Sequence, residues 1–202
     1  MSKVLKIKES LTKKPDITKA KGILERLKSF NELYVSKEDS IKLKELFKKN
    51  LPSGWKATYS VSPWYGFVVT VNTLPVKDAQ DLAYSTPEQY RKEVIIGSRK
   101  WDIHPLRQED LDLDKKVMTK QFKLQFNPVG GDLKNDIAKR LDDLKDTLNP
   151  KSKTAEKIAK LVVEALKDGY NRTDSYRDIF DQTYGITFVF GDEYKNKFVK
   201  LS

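Results

Sequence analysis

Two alternating runs dominate the pattern of apolar and polar positions. Trp55, Ala57, Tyr59 and Val61 alternate with Lys56, Thr58, Ser60 and Ser62. Phe67, Val69 and Val71 then alternate with Val68, Thr70 and Asn72. A period of two in β-branched and aromatic residues predicts half-buried strands. Pro63-Trp64-Tyr65-Gly66 separates the runs and carries turn chemistry, so the stretch 55–73 reads as an antiparallel hairpin. Its apolar face needs a cover. The expectation is that Tyr59, Val61, Val69 and Val71 are buried against helical Leu43, Leu46 and Phe47.

Helical periodicity flanks the hairpin. Ser36 with Asp39 predicts a capped helix start, followed by Ile41, Leu43, Leu46, Phe47 and Leu51 as its apolar face. Ile17 to Phe30 forms an earlier helical segment, interrupted by Gly22. Past the hairpin, Val76 to Tyr84 reads as a short helix, and Thr86-Pro87 starts another. Val94-Ile95-Ile96 fits either a helix end or a strand, and 99–114 shows no clear period. Gln121 to Phe126 alternates as a strand. Asp132 is expected to cap a helix to Leu148. A further helix is expected from Thr154 to Asp168, with Gly169 at its C-terminal cap. Gly185 to Gly191 reads as a strand, and Phe198, Val199 and Leu201 as a short closing one.

This order predicts an α+β fold: a mainly antiparallel sheet built on the central hairpin, with helices packed on one face. Residues 1–15 read as a basic flexible arm and 16–202 as one domain. At 202 residues the chain is long enough for one sizeable core. No apolar run reaches the roughly 18 residues of a membrane span, and no secretory signal is visible, so a cytoplasmic location is expected. There are no cysteines, which removes disulfides and thiol chemistry.

Charge changes the picture more. The net charge is +10, and residues 1–50 hold 14 Lys and Arg against 7 Asp and Glu, hence +7 of it. Such a region can neutralise phosphates, or it can be an ordinary solvated lysine face. The candidate electrostatic contacts are Lys3, Lys6, Lys8, Lys13, Lys14, Lys48 and Lys49. Trp64 and Tyr65, two large aromatics at a hairpin tip, are candidates for stacking on bases or anchoring a partner, unless they fold back over the sheet.

Catalytic signatures are sparse. His104 is the one histidine, so two-histidine hydrolases are excluded; beside Trp101 and Pro105 it reads as a packed or loop residue. Glu193-Tyr194-Lys195 after a strand has the form used by magnesium nucleases, with Asp174, Asp178 or Asp181 as the further carboxylate. The alternative is a hydrophilic turn. The aspartate spacing does not fit a calcium loop, and Gly130-Gly131 lacks the Lys-Ser/Thr of a phosphate loop. No cofactor or metal is expected.

Two blocks, LKELFKKNLPSGWKATYSVS…FVVTVNT and KIAKLVVEALKDGYNRTDSYRDIFDQTYGITFVFGDEY, together resemble a small α+β module of the large polyvalent protein-associated class of phages and conjugative elements. They cover 36–73 and 154–195, which makes 74–153 an insertion. The resemblance carries over no catalytic residue. It implies a mobile-element origin and an accessory role around nucleic acid or host defence. The expected function is therefore a non-enzymatic accessory protein of a phage or mobile element that binds nucleic acid or a host nucleoprotein, including as an inhibitor of host defence. A magnesium-dependent nuclease and a virion structural protein are the alternatives.

Overall fold

A computed structural model of the chain describes residues 35–62, 65–86, 105–128, 136–167, 184–191 and 197–202, all within one compact unit. The expected basic arm and first helix, the turn residues Pro63 and Trp64, the helix at Pro87, Val94–Ile96, Trp101 and His104 lie outside the described residues. So do Gly130 to Asp132, Gly169, Asp174, Asp178, Asp181 and the Glu193-Tyr194-Lys195 triplet. The elements in chain order are α1 (Lys37–Asn50), β1 (Lys56–Ser62), β2 (Gly66–Leu74), α2 (Val76–Leu82), a 3-10 turn (Gln108–Asp110), β3 (Leu111–Asp112), β4 (Val117–Met118), β5 (Phe122–Phe126), α3 (Ile137–Leu144), α4 (Lys153–Leu166), β6 (Ile186–Phe190) and β7 (Val199–Leu201).

Helix α1 begins where its cap chemistry places it. The Ser36 hydroxyl accepts from the Asp39 amide at 3.0 Å and donates to the Asp39 carboxylate at 2.7 Å. Acidic Glu38 and Asp39 open the helix and Lys48 and Lys49 close it, matching the helix dipole. Leu43 and Phe47 are buried, but Ile41 is 51% exposed. At about 100° per residue, Ile41 points some 200° away from Leu43, so the two cannot share a face.

β2 is the hub of the sheet. β1 pairs antiparallel along one of its edges, and β6 runs parallel to it over Phe67–Val71. Thr73 pairs with Lys56 of β1 and with Lys200 of β7, so β7 shares the edge that β6 uses. β5 and β4 then pair antiparallel with β6 and β7, and β3 closes on β4. Among the described residues the sheet is mostly antiparallel with two parallel pairings, both on β2. A parallel return needs a crossover, and the long connection from β2 to β6, which contains α2, α3 and α4, provides it. The described parts of segments 36–73 and 154–195 lie side by side, because β2 adjoins β6 and α1 packs on α4.

Register aligns the apolar residues into three rows across four strands: Val61–Phe67–Ile186–Phe126, Tyr59–Val69–Phe188–Leu124 and Ala57–Val71–Phe190–Phe122. The Phe47 ring of α1 stacks on Phe67 and meets Phe188 edge-on, each at 5.7 Å between centroids. Buried Ile158, Val162 and Leu166 of α4 complete the cover. Val69 and Val71 are buried as expected. Tyr59 is only half-buried, and Val61 is 46% exposed, contrary to the expectation for this face. β1 is the edge strand, and α1 lies over β2 and β6, so its cover stops short of Val61.

The later helices differ from the sequence reading at their starts. α3 is capped by Asp136, whose carboxylate accepts from the Lys139 amide at 2.6 Å; the helix does not extend through that residue from Asp132. It ends at Leu144, and turns carry the chain to a buried Leu148. Arg140 is buried, donating to Asp143 at 3.0 Å and to the Asn127 carbonyl at 2.8 Å, which ties α3 to the end of β5. α4 is capped by Ser152, and its Thr154 amide donates to Asp81 of the α2 helix at 2.8 Å. Trp55 donates its indole N–H to buried Asp78 at 2.7 Å, fixing the entry to β1 against α2.

Val69→Ala is expected to cost about 1–3 kcal/mol in urea denaturation, from lost transfer energy and a residual cavity. Val61→Ala should stay within about 0.5 kcal/mol. Equal losses at the two positions would contradict this burial pattern. Gly66 has φ +68°, and a Cβ there would clash with the Gly185 backbone. Gly66→Ala should therefore cost more than about 1 kcal/mol, although it adds apolar area.

Candidate nucleic-acid interface

The alternation that buries one set of strand residues turns the complementary set outward. Three outer rows follow from the pairing: Lys56–Thr73–Lys200–Val117–Asp112, Thr58–Thr70–Val189–Lys123 and Ser60–Val68–Thr187–Gln125. A register shift between Lys56 and Ala57 leaves Asn72 as the extra residue of β2. This keeps Thr73 and Lys56 on the outer side. Lys56, Thr58, Ser60, Asn72, Lys123, Gln125 and Lys200 are all exposed.

The chemistry of this surface is uneven in an informative way. The sequence holds 29 acidic residues, yet β1, β2, β5, β6 and β7 contain none. Their three charges are Lys56, Lys123 and Lys200. The rest of this side is mainly hydroxyl and amide, with Thr58, Ser60, Asn72 and Gln125 exposed and Thr70 half-buried, but Val189 is half-buried and Val68 and Thr187 are buried. The Asn72 amide donates to the Thr70 carbonyl at 3.2 Å, which holds its side chain along the face.

Tyr65 closes one end of this surface. It is 38% exposed. Its carbonyl accepts from the fully buried Thr187 hydroxyl at 2.9 Å, which pins the hairpin tip to β6. The Lys123 ammonium sits 5.3 Å from the centre of its ring. Since Lys123 is an outer residue of β5, the Tyr65 ring lies on the outer side of the sheet and reaches across β6. Glycines make this approach possible. A Cβ at Gly66 would meet the Gly185 backbone, and one at Gly185 would come within 2.7 Å of the Asn127 side chain.

A second basic surface lies on the helical side. Leu43, Leu46, Leu161 and Ala165 floor a cleft between α1 and α4, with Lys42, Lys157, Lys160 and Lys167 on its rim. Two of these cations are already engaged: Lys160 with Glu156 at 2.5 Å and Lys167 with Glu164 at 2.6 Å. The Lys160 ammonium holds the Glu156 carboxyl below its ordinary range. The cleft is thus less cationic than its lysine count implies. Among the described residues, no three acidic or histidine side chains are grouped so as to hold a metal ion.

The residues singled out in the sequence do not form one cluster. Lys48 and Lys49 are exposed in the last turn of α1, in the helical layer. Tyr65 belongs to the opposite side of the sheet. Lys3, Lys6, Lys8, Lys13, Lys14 and Trp64 lie outside the described residues. Sequence reasoning missed Lys56, Lys123 and Lys200. The available signal was the absence of acids from every alternating run, which a count over the whole chain conceals. Comparison with protein-family models, with curated proteins and with solved structures finds no match to this chain.

Tyr65→Ala keeps the carbonyl that Thr187 binds, so thermal stability should be nearly unchanged, within about 0.5–1 kcal/mol. Thr187→Val removes a buried hydroxyl and strands that carbonyl, which should cost about 1–3 kcal/mol. A Tyr65→Ala protein that unfolds would make the ring part of the core rather than a surface group.

Proposed function

We propose that this protein is a non-enzymatic nucleic-acid-binding protein whose open sheet face receives a single strand. The observation that carries this reading is the outer face of β1, β2, β5, β6 and β7, which holds three lysines, hydroxyls and amides and ends at the Tyr65 ring. The one acid in its rows, Asp112, lies two strands beyond Lys200 and is paired with Lys115. Lysines neutralise phosphates without regard to sequence. Hydroxyls and amides offer donors and acceptors to base edges, and an exposed aromatic gives a base a face to stack on. A duplex would use the charges but not the ring, so a single strand suits the surface better. An accessory role on a phage or mobile element, acting on host nucleoprotein or defence, is supported by the family resemblance alone and belongs to the same proposal.

Binding of labelled single-stranded oligonucleotides by retardation and by fluorescence anisotropy tests the proposal. Affinity should fall steeply with salt. Replacing Lys56, Lys123 and Lys200 together with Gln should weaken binding at least tenfold. It should also reduce the salt slope by about 2, since each phosphate neutralised on a single strand adds about 0.7 to that slope. Replacing Lys42 and Lys157 of the helical cleft should change affinity much less. No retardation of any DNA or RNA at low salt would overturn the proposal, as would a triple variant that binds like the parent.

A further inference from the structure

The inner rows leave one element incomplete. β1 uses one edge on β2, and no described strand pairs with its other edge. A strand edge presents a row of backbone N–H and C=O groups, a template for a further strand. The edge also carries uncovered apolar surface. Val61 is 46% exposed and Tyr59 half-buried on the core-facing row, although neighbouring Phe67 and Val69 are fully covered.

The helix beside this edge supplies a charge pattern. The α1 side turned to α4 carries Asp39, Lys42, Leu43, Leu46 and Asn50. Its sheet-facing residues are Leu43 and Phe47. At about 100° per residue, Lys37, Ile41, Lys44 and Lys48 fall on the side turned away from α4. β1 and β6 occupy opposite edges of β2, and α4 packs on β6, so that side of α1 is turned toward the β1 edge. Ile41, Lys44 and Lys48 are exposed, Ile41 by 51%, and Lys37 reaches solvent at the helix start. The edge strand is therefore flanked by exposed Val61 and Ile41 with three lysines beside them.

We propose that β1 accepts an extended acidic segment of a partner protein as an added strand, with Lys56–Val61 as the pairing edge. The partner's backbone meets the N–H and C=O row; of its side chains on the helical face, every second residue, apolar ones cover Val61 and Ile41 and acidic ones face Lys37, Lys44 and Lys48. A nucleic acid offers no alternating backbone donors and acceptors for this edge. A second copy paired through β1 about a two-fold axis would set two lysine stripes against each other, so the charges favour an acidic partner over self-association. This surface is separate from the outer face, and the proposal does not rest on nucleic-acid binding.

The test uses a blocked nine-residue peptide in which every second residue is in turn valine and glutamate, with threonine between them, so that one face of the strand carries both; it is added to the full chain. Amide hydrogen exchange across 56–61 should slow on peptide addition, and affinity should fall with salt. Two versions of the peptide, N-methylated on alternate residues, separate strand pairing from charge attraction. The one methylated on its bonding edge should lose at least tenfold in affinity, and the other should bind like the parent. Val61→Glu, at an exposed position, should weaken binding at least tenfold while leaving the fold intact. Failure to bind at millimolar peptide, equal binding of both methylated versions, or protection of β1 through a concentration-dependent dimer in sedimentation would each overturn the proposal. So would displacement of the peptide by an oligonucleotide that itself protects 56–61.

Discussion

β2 is hydrogen-bonded along both edges, by β1 on one side and by β6 and β7 on the other. Every neighbour's register is therefore fixed relative to Phe67, Val69 and Val71. A slip of one residue on either side would turn an entire set of side chains to the wrong face. The consequence is the array of three apolar rows that Phe47 and the α4 helix cover. Phe188 shows how tightly the array is linked: it pairs beside Val69 and Leu124, and its ring meets Phe47 and Phe126 edge-on at 5.7 and 6.3 Å. Glycines at the strand starts allow the close approach, since side chains at Gly66 or Gly185 would collide with the neighbouring strand.

The same register creates the outer surface. Once the inner rows are set, Thr58, Thr70 and Lys123 must share the opposite face, as must Ser60 and Gln125. No acid interrupts them, so a modest number of lysines governs the local field. The helical side holds more lysines but also acids at ion-pair distance, as Lys160 with Glu156 and Lys167 with Glu164 illustrate. Net charge alone does not locate a phosphate-binding surface; the local balance of signs does. Tyr65 adds what charge cannot, an aromatic plane held by backbone pinning at Thr187 rather than by burial of the ring.

Much of this was legible in the sequence, and the limits have physical causes. The hairpin, β5, β6, α1 and α4 followed from period and capping, because each carries a long, unbroken local signal. Val61 and Ile41 were expected in the core because periodicity reports which face a residue shares. It does not report where the covering layer ends. Arg140 gave no sign of its burial, which depends on the Asn127 carbonyl, 13 positions away in sequence. Parallel pairing of β2 with β6 was likewise invisible, being a choice of edge and not of segment. The outer face was hidden for a different reason. Its members are scattered over strands far apart in sequence, and only the pairing collects them.

The claim that the two faces of the sheet divide the work, one as core and one as binding surface, has a direct test. Backbone amide spectra recorded during titration with a single-stranded oligonucleotide report which residues feel the ligand. The largest changes are predicted at Thr58, Ser60, Tyr65, Asn72, Lys123 and Gln125, with the α1–α4 cleft unaffected. Changes concentrated instead at Leu46, Lys157 and Leu161, with the outer face silent, would contradict it.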